Sequence, residues 1–147
     1  MEKFPNLFRG RISRKNFVIA YLLILALGFL YFGFMPIEGG EFERYSIAWG
    51  YGLIILLIPF IIIGFSLQIR RLHDIGLSWK FMLVMIIPKV LQRLFIISEE
   101  INIILNAIVV LYWAILVFKV GENKDNEYGL KPSLDFKLWK AIFNLEK

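Results

Sequence analysis

Four long apolar runs constrain this chain more than any other feature of its sequence. They cover residues 17–35, 47–69, 81–97 and 101–118. The first two runs contain no charged residue, and at about 1.5 Å per residue the first would extend ~28 Å, close to the thickness of a bilayer's hydrocarbon core. The fourth run contains Asn102 and Asn106 as its only strongly polar residues. We therefore predict that the first, second and fourth runs are transmembrane helices.

The composition supports a membrane protein and excludes several kinds of site. Hydrophobic residues make up 59% of the 147 residues and the mean hydropathy is +0.67, whereas soluble domains are usually about 45–50% apolar. The chain has no Cys and a single His, which excludes disulfides, thiolate metal sites and multi-histidine metal sites. The net charge is +5, but the basic residues border the apolar runs and form no stripe for nucleic acid. We expect no cofactor, no metal and no nucleic acid.

The third run is interrupted by polar residues, so it could either cross the membrane or lie along the interface. These residues are Pro88, Lys89, Gln92 and Arg93. The distribution of Lys and Arg favours crossing, because cytoplasmic loops are rich in both. Basic residues gather before the first run, between the second and third, and after the fourth, whereas the loop after the first run has only Arg44 against three Glu. Four spans with both termini in the cytoplasm satisfy this rule at every loop.

The predicted architecture is an all-α, polytopic membrane helical bundle over residues 1–132, followed by a C-terminal amphipathic helix over residues 133–147. In a helix, the apolar side chains of the last segment would lie on one broad side and its lysines on the other. This helix would lie either on the inner membrane surface or on the cytoplasmic face of the bundle. The pattern does not decide between these two positions.

Three short polar motifs stand at the predicted cytoplasmic ends of the helices. Residues 10–17 read Gly-Arg-Ile-Ser-Arg-Lys-Asn-Phe, residues 70–76 read Arg-Arg-Leu-His-Asp-Ile-Gly, and residues 121–132 contain Gly-Glu-Asn followed by Tyr-Gly-Leu-Lys-Pro. Ser13 can cap the first helix, and Gly76 is placed as the left-handed residue that ends the second. Asp74 would face the negative end of its own helix dipole, so we predict a contact with Arg11 or Arg14 of the first helix.

These motifs resemble the signature of the domain of unknown function 805 family of small bacterial inner-membrane proteins. The resemblance covers roughly residues 4–132, and the Arg-Arg-Leu-His-Asp-Ile-Gly element is its most specific part. This chain departs from the family pattern in an exit lengthened by residues 124–127. The resemblance implies a multi-pass protein of the bacterial inner membrane and implies no activity.

The candidate site residues fall into two groups. The first is a basic cytoplasmic rim that could bind lipid or a partner, and the second is a polar face of the third and fourth spans that could form a pathway. The rim comprises Arg11, Ser13, Arg14, Arg70, Arg71, His73, Asp74 and Gly76. The polar face comprises Lys89, Gln92, Arg93 and Asn106. In the second group, Arg93 could instead reach the outer headgroups, and Asn106 could join two helices.

Two functions remain open from the sequence, and neither is enzymatic. The first is an inner-membrane protein whose rim engages anionic phospholipid headgroups of the bilayer or a protein partner, which could be a second copy of the chain. The second is a transport or channel subunit for a small solute or ion that uses the polar face. His73 and Asp74 are adjacent, but adjacent helical residues point about 100° apart, and the sequence has no nucleophile elbow or phosphate loop.

Overall fold

A computed structural model describes residues 7–33, 42–133 and 142 of the chain. Within these residues the fold is all-helical, as predicted, and contains no strand. The α-helices are α1 (Arg14–Gly33), α2 (Phe42–Asp74), α3 (Leu83–Leu94) and α4 (Glu99–Phe118), with a 3-10 helix at Trp79–Met82. The predicted C-terminal helix lies almost wholly outside the described residues.

The helices differ in length, and the shortest is α3. Helices α1 and α4 have 20 residues each, so each extends ~30 Å, and the 33 residues of α2 run through Pro59 for ~50 Å. Helix α3 has 12 residues and extends only ~18 Å.

The third apolar run therefore forms a shorter α-helix than the sequence suggests. Its first residues belong to the 3-10 helix, and α3 ends at Leu94 because Phe95 is extended, with φ −121° and ψ 149°. The next helix begins after Ser98, which is also extended. Residues 95–98 thus form the turn between two antiparallel helices, and that turn takes up the last part of the run.

Helix α4 contacts each of the other three α-helices. Helix α1 also packs against α2, and the 3-10 helix packs against α2 and α3. The buried hydrophobic residues concentrate near one end of these helices. They are Ile12, Phe17, Ala20, Leu67, Leu72, Ile75, Met82, Tyr112 and Leu116. That end carries the start of α1, the end of α2 and the end of α4, and the candidate site lies there.

Among the described residues, one helix is long and apolar enough to cross a membrane. This is α4, with a mean hydropathy of 2.4 and only 11% of its apolar window buried in the protein. A core helix of a soluble protein would be mostly buried. The outward face of α1 is also apolar, and Phe29 is 80% exposed.

A buried arginine–aspartate cluster as the candidate functional site

The start of α1 is fixed by a turn, a cap and a bond to α2. Gly10 has a φ of 81°, which places it in the left-handed region that favours glycine. The Asn16 backbone N–H donates to Ser13 Oγ over 3.4 Å, which confirms the predicted cap. The Ile12 N–H donates to the Arg70 carbonyl over 3.2 Å and joins this turn to α2.

The end of α2 is a Schellman motif. The Leu77 N–H donates to the Leu72 carbonyl over 2.9 Å, the Gly76 N–H donates to the His73 carbonyl over 3.3 Å, and Gly76 has a φ of 75°. The predicted left-handed glycine at this position is confirmed. Because the helix stops here, Asp74 is held in the last turn, beside the start of α1.

Asp74 is buried between two arginines. The Arg11 Nη2 lies 3.1 Å from Asp74 Oδ1, and the Arg71 Nη1 pairs with Asp74 Oδ2. The side chains of both arginines are 0% exposed and that of Asp74 is 4% exposed. The predicted contact of Asp74 with Arg11 or Arg14 is therefore confirmed, and the partner is Arg11, which lies in the turn just before α1. Arg71, three residues before Asp74, is the partner on its own helix.

The arginines also bind the carbonyls that end α4. The Arg71 Nε donates to the Leu116 carbonyl over 2.9 Å, and its Nη2 donates to the Lys119 carbonyl. The Arg14 Nη1 donates to the Phe118 carbonyl over 3.3 Å. The last carbonyls of a helix lack partners within that helix and form the negative end of its dipole, so cations are favourable there.

Arg11 extends the same pattern into the segment that follows α4. Its Nη2 donates to the Glu122 carbonyl over 2.6 Å, and its Nη1 donates to the carbonyls of Lys124 and Gly129 over 2.7 and 3.4 Å. We call Arg11, Arg71, Asp74 and these carbonyls the arginine–aspartate cluster. It joins α1, α2 and the end of α4 through groups that are buried and hydrogen-bonded.

Two glycines allow the segment after α4 to approach the cluster. A Cβ added to Gly121 would overlap the Asp74 carboxylate, and one added to Gly76 would lie 2.6 Å from Glu122 Oε1. The Glu122 N–H then donates to the Asp74 carbonyl over 2.7 Å. Close approach at Gly121 is therefore a requirement of the cluster.

His73 also contacts the segment that follows α4. Its Nδ1 lies 3.2 Å from the Gly10 carbonyl, and its ring stacks on Tyr128 with centroids 4.0 Å apart and an interplanar angle of 1°. The Asn126 Nδ2 donates to the His73 carbonyl over 2.9 Å and to Glu122 Oε2 over 2.7 Å. The sequence did not indicate these roles for Asn126 and Tyr128. Tyr128 begins the second part of the third motif, whereas Asn126 lies in the stretch that lengthens it.

Burial changes the protonation equilibria of these groups. It lowers the pKa of His73, which favours the neutral ring that can donate through Nδ1 to Gly10. It raises the pKa of the Asp74 carboxyl, while Arg71 and Arg11 act in the opposite direction. Within the described residues, no group of three or more Asp, Glu or His is placed to hold a metal ion.

Two open clefts flank the cluster. One, of about 500 Å³, lies between the start of α1 and the segment after α4. It is lined by Ser13, Arg14, Lys15, Asp74, Val120, Gly121, Glu122, Asn123, Lys131 and Pro132. The other, of about 350 Å³, is lined mainly by residues 122–128 and carries several carboxylates. Of the predicted rim residues, Arg14 is exposed at the first cleft, whereas Arg70, Arg71 and His73 are buried.

The predicted polar face of the third and fourth runs lies away from this cluster. The Lys89 Nζ donates to Asn106 Oδ1 over 3.1 Å and to Gln92 Oε1 over 3.3 Å, and the Gln92 Nε2 donates to the Asn102 carbonyl over 3.5 Å. Lys89, Arg93 and Asn106 are exposed. The structure thus joins three of the four predicted residues across α3 and α4, and neither of the two clefts described above contains them.

Comparison with known proteins identifies one family. The family described as protein of unknown function (DUF805) matches residues 6–130 of the 147. The matched range includes the whole arginine–aspartate cluster and the whole of the smaller cleft. It includes the larger cleft except for Lys131 and Pro132. No curated protein and no solved structure matches the chain.

Proposed function

From the premise that the chain belongs to the DUF805 family, whose description states no activity, we propose that it is a non-enzymatic integral membrane protein that binds anionic lipid headgroups. The bundle would cross the membrane four times, with the arginine–aspartate cluster and both termini on the cytoplasmic side of the bacterial inner membrane.

Helix lengths and directions support four spans. Helices α1 and α4 match a hydrocarbon core of about 30 Å, and α2 exceeds it. The 3-10 helix adds ~8 Å to the ~18 Å of α3. Together these two helices also come close to the thickness of the hydrocarbon core. Because α1 begins, α2 ends and α4 ends at the cluster, successive helices run in opposite directions.

Charge supports the orientation of the bundle. The end that carries the cluster also carries Arg14, Lys15, Lys80 and Lys131, whereas the turn at residues 95–98 contains no Lys or Arg and is followed by two Glu. Loops rich in Lys and Arg remain in the cytoplasm. The cluster therefore belongs on the cytoplasmic side, where anionic lipids give the membrane surface a negative potential.

The observation that carries the proposal is the buried network of Arg11, Asp74 and Arg71. By joining three parts of the chain, it holds the surrounding basic side chains at the level of one membrane surface. Its own groups are engaged: both Asp74 oxygens accept from arginines, and His73 Nδ1 faces the Gly10 carbonyl. A general base must be within reach of a substrate proton, so this arrangement supports a structural and binding role over catalysis.

Lipid titration tests the binding role. The full-length protein in uncharged detergent is titrated with phosphatidylglycerol or with phosphatidylcholine, and its unfolding temperature is measured. We expect phosphatidylglycerol to raise that temperature more, and we expect the difference to shrink in about 0.5 M salt because screening weakens exposed charge interactions. Equal stabilisation by both lipids would contradict the proposal.

Reporter fusions test the orientation separately. Fusions after Lys15, within residues 70–80 and at the C-terminus should report the cytoplasm, and one within residues 37–46 should report the outside. An external C-terminus would mean that the third run does not cross.

A further inference from the structure

Two carboxylates, those of Asp74 and Glu122, line the cleft between the start of α1 and the segment after α4. Asp74 is paired with Arg11 and Arg71, and Glu122 Oε2 accepts from Asn126. The positive charges of Arg11 and Arg71 balance the negative charges of Asp74 and Glu122, so these four groups together are close to neutral. The charge of the ion that the cleft attracts therefore depends on the other residues that line it.

Three exposed cationic side chains also line the cleft. Arg14 and Lys15 belong to α1, and Lys131 belongs to the segment after α4. Within the described residues, none of the three forms an ion pair with a carboxylate. Arg14 uses one of its five N–H donors on the Phe118 carbonyl, and the Lys131 Nζ donates to Asn123 Oδ1. All three retain N–H donors for an incoming anion.

The position of the cleft indicates where such an anion would lie along the membrane normal. Arg14 and Lys15 are the first two residues of α1, and the uncharged apolar run starts at residue 17. The cleft thus lies just outside the hydrocarbon core, at the depth of phospholipid phosphates. The cleft has a volume of about 500 Å³ and is open to its surroundings.

We propose that this cleft binds the phosphate group of an anionic phospholipid, with Arg14, Lys15 and Lys131 as its cationic contacts. The inference rests on the proposed function and sharpens it from a basic surface to one site. Arginine can bind a phosphate through two N–H groups at once, and the two lysines act as point charges.

The test compares Lys15→Gln and Lys131→Gln with Lys80→Gln in the full-length protein. Lys80 is an exposed lysine near the same membrane surface, but it lies outside the cleft. The apparent affinity for phosphatidylglycerol is measured from the rise in unfolding temperature. We expect each cleft variant to lose about fivefold in affinity, which corresponds to about 1 kcal/mol per lysine, and Lys80→Gln to lose twofold or less. Each variant's unfolding temperature without lipid shows whether it folds like the wild type.

The other outcomes separate this inference from the proposed function. Equal losses for all three variants would overturn the cleft while leaving the general preference for anionic lipid intact. No preference of the wild type for phosphatidylglycerol would overturn both. A second arm uses sn-glycerol 1-phosphate without lipid: protection that depends on Lys15 and Lys131 would support the phosphate site but make its ligand a soluble phosphate ester.

Discussion

The protein joins its helices with polar groups in two places, and the two places differ in burial and in the number of bonds. In the arginine–aspartate cluster, the Arg11 and Arg71 side chains are 0% exposed and donate to Asp74 and to several backbone carbonyls. Between α3 and α4, Lys89 is exposed and bonds to two side chains, Gln92 and Asn106. A buried charge left without a partner is far more costly than an exposed one. The cluster should therefore control stability, and the Lys89 contacts should contribute little.

The largest expected effect is that of Asp74→Asn. The change leaves two buried guanidinium groups without a counter-charge, and we expect a loss of about 3–5 kcal/mol in the free energy of unfolding in detergent. Asp125→Asn is the control because Asp125 is exposed and should lose about 1 kcal/mol or less. A double-mutant cycle with Arg11→Gln should be strongly non-additive. Additive losses would mean that the Arg11–Asp74 contact does not hold the first two helices together.

The next effect is that of Gly121→Ala. The added Cβ would overlap the Asp74 carboxylate, so the segment after α4 must move away, at a cost of about 1–3 kcal/mol in the free energy of unfolding. Gly28→Ala is the matched control because nothing lies within 4 Å of the added Cβ. If both variants unfold at the same temperature, close packing of this segment on Asp74 would be ruled out.

A smaller effect is the pH dependence that His73 gives the protein. Burial lowers the pKa of His73 in the folded state below its ordinary value of about 6.5, so the unfolded chain binds more protons between the two pKa values. Stability should therefore fall as the pH drops below about 6.5 and be unaffected by this group above it. Unfolding at pH 7.5 and 5.5 measures the fall, and His73→Gln should reduce it. A fall of the same size in His73→Gln would assign the pH dependence to other groups.

The smallest effect is expected for Lys89→Leu. Interhelical hydrogen bonds in membranes contribute about 0.6 kcal/mol on average, and leucine suits an apolar surface, so stability should change little or rise. Lys89 is also the residue on which the alternative of a transport pathway depends most. Loss of a measured ion or solute flux in proteoliposomes of this variant, at unchanged stability, would revive that alternative.

Local signals in the sequence predicted the cluster better than they predicted the third helix. The Ser13 cap and the left-handed Gly76 depend on residues next to them, and the misfit of Asp74 with its helix dipole predicted a nearby cation. The choice of Arg11 over Arg14 depends on how α1 meets the segment after α4, which no local pattern encodes. The end of α3 at Leu94 depends on the geometry of the turn into α4 in the same way.

The contacts of the segment after α4 could not be predicted from the sequence either. Asn126 and Tyr128 contact His73 from more than 50 residues away along the chain. Asn126 lies within the stretch that lengthens the family pattern, and Tyr128 directly follows it. Gly121 did indicate a close contact, because a glycine lets the backbone approach a neighbouring group closely. Its partner could not be identified from one sequence.

The carbonyls that accept from Arg11 and Arg71 have a consequence for biosynthesis. All five carbonyls described above belong to residues 116–129, which leave the ribosome after α1 and α2 have already been made. Until these residues have been synthesised, the guanidinium groups of Arg11 and Arg71 can pair only with Asp74 and with water. A chain that ends before residue 116 would contain the first three apolar runs and most of the fourth, yet Arg11 and Arg71 would lack every one of these carbonyls.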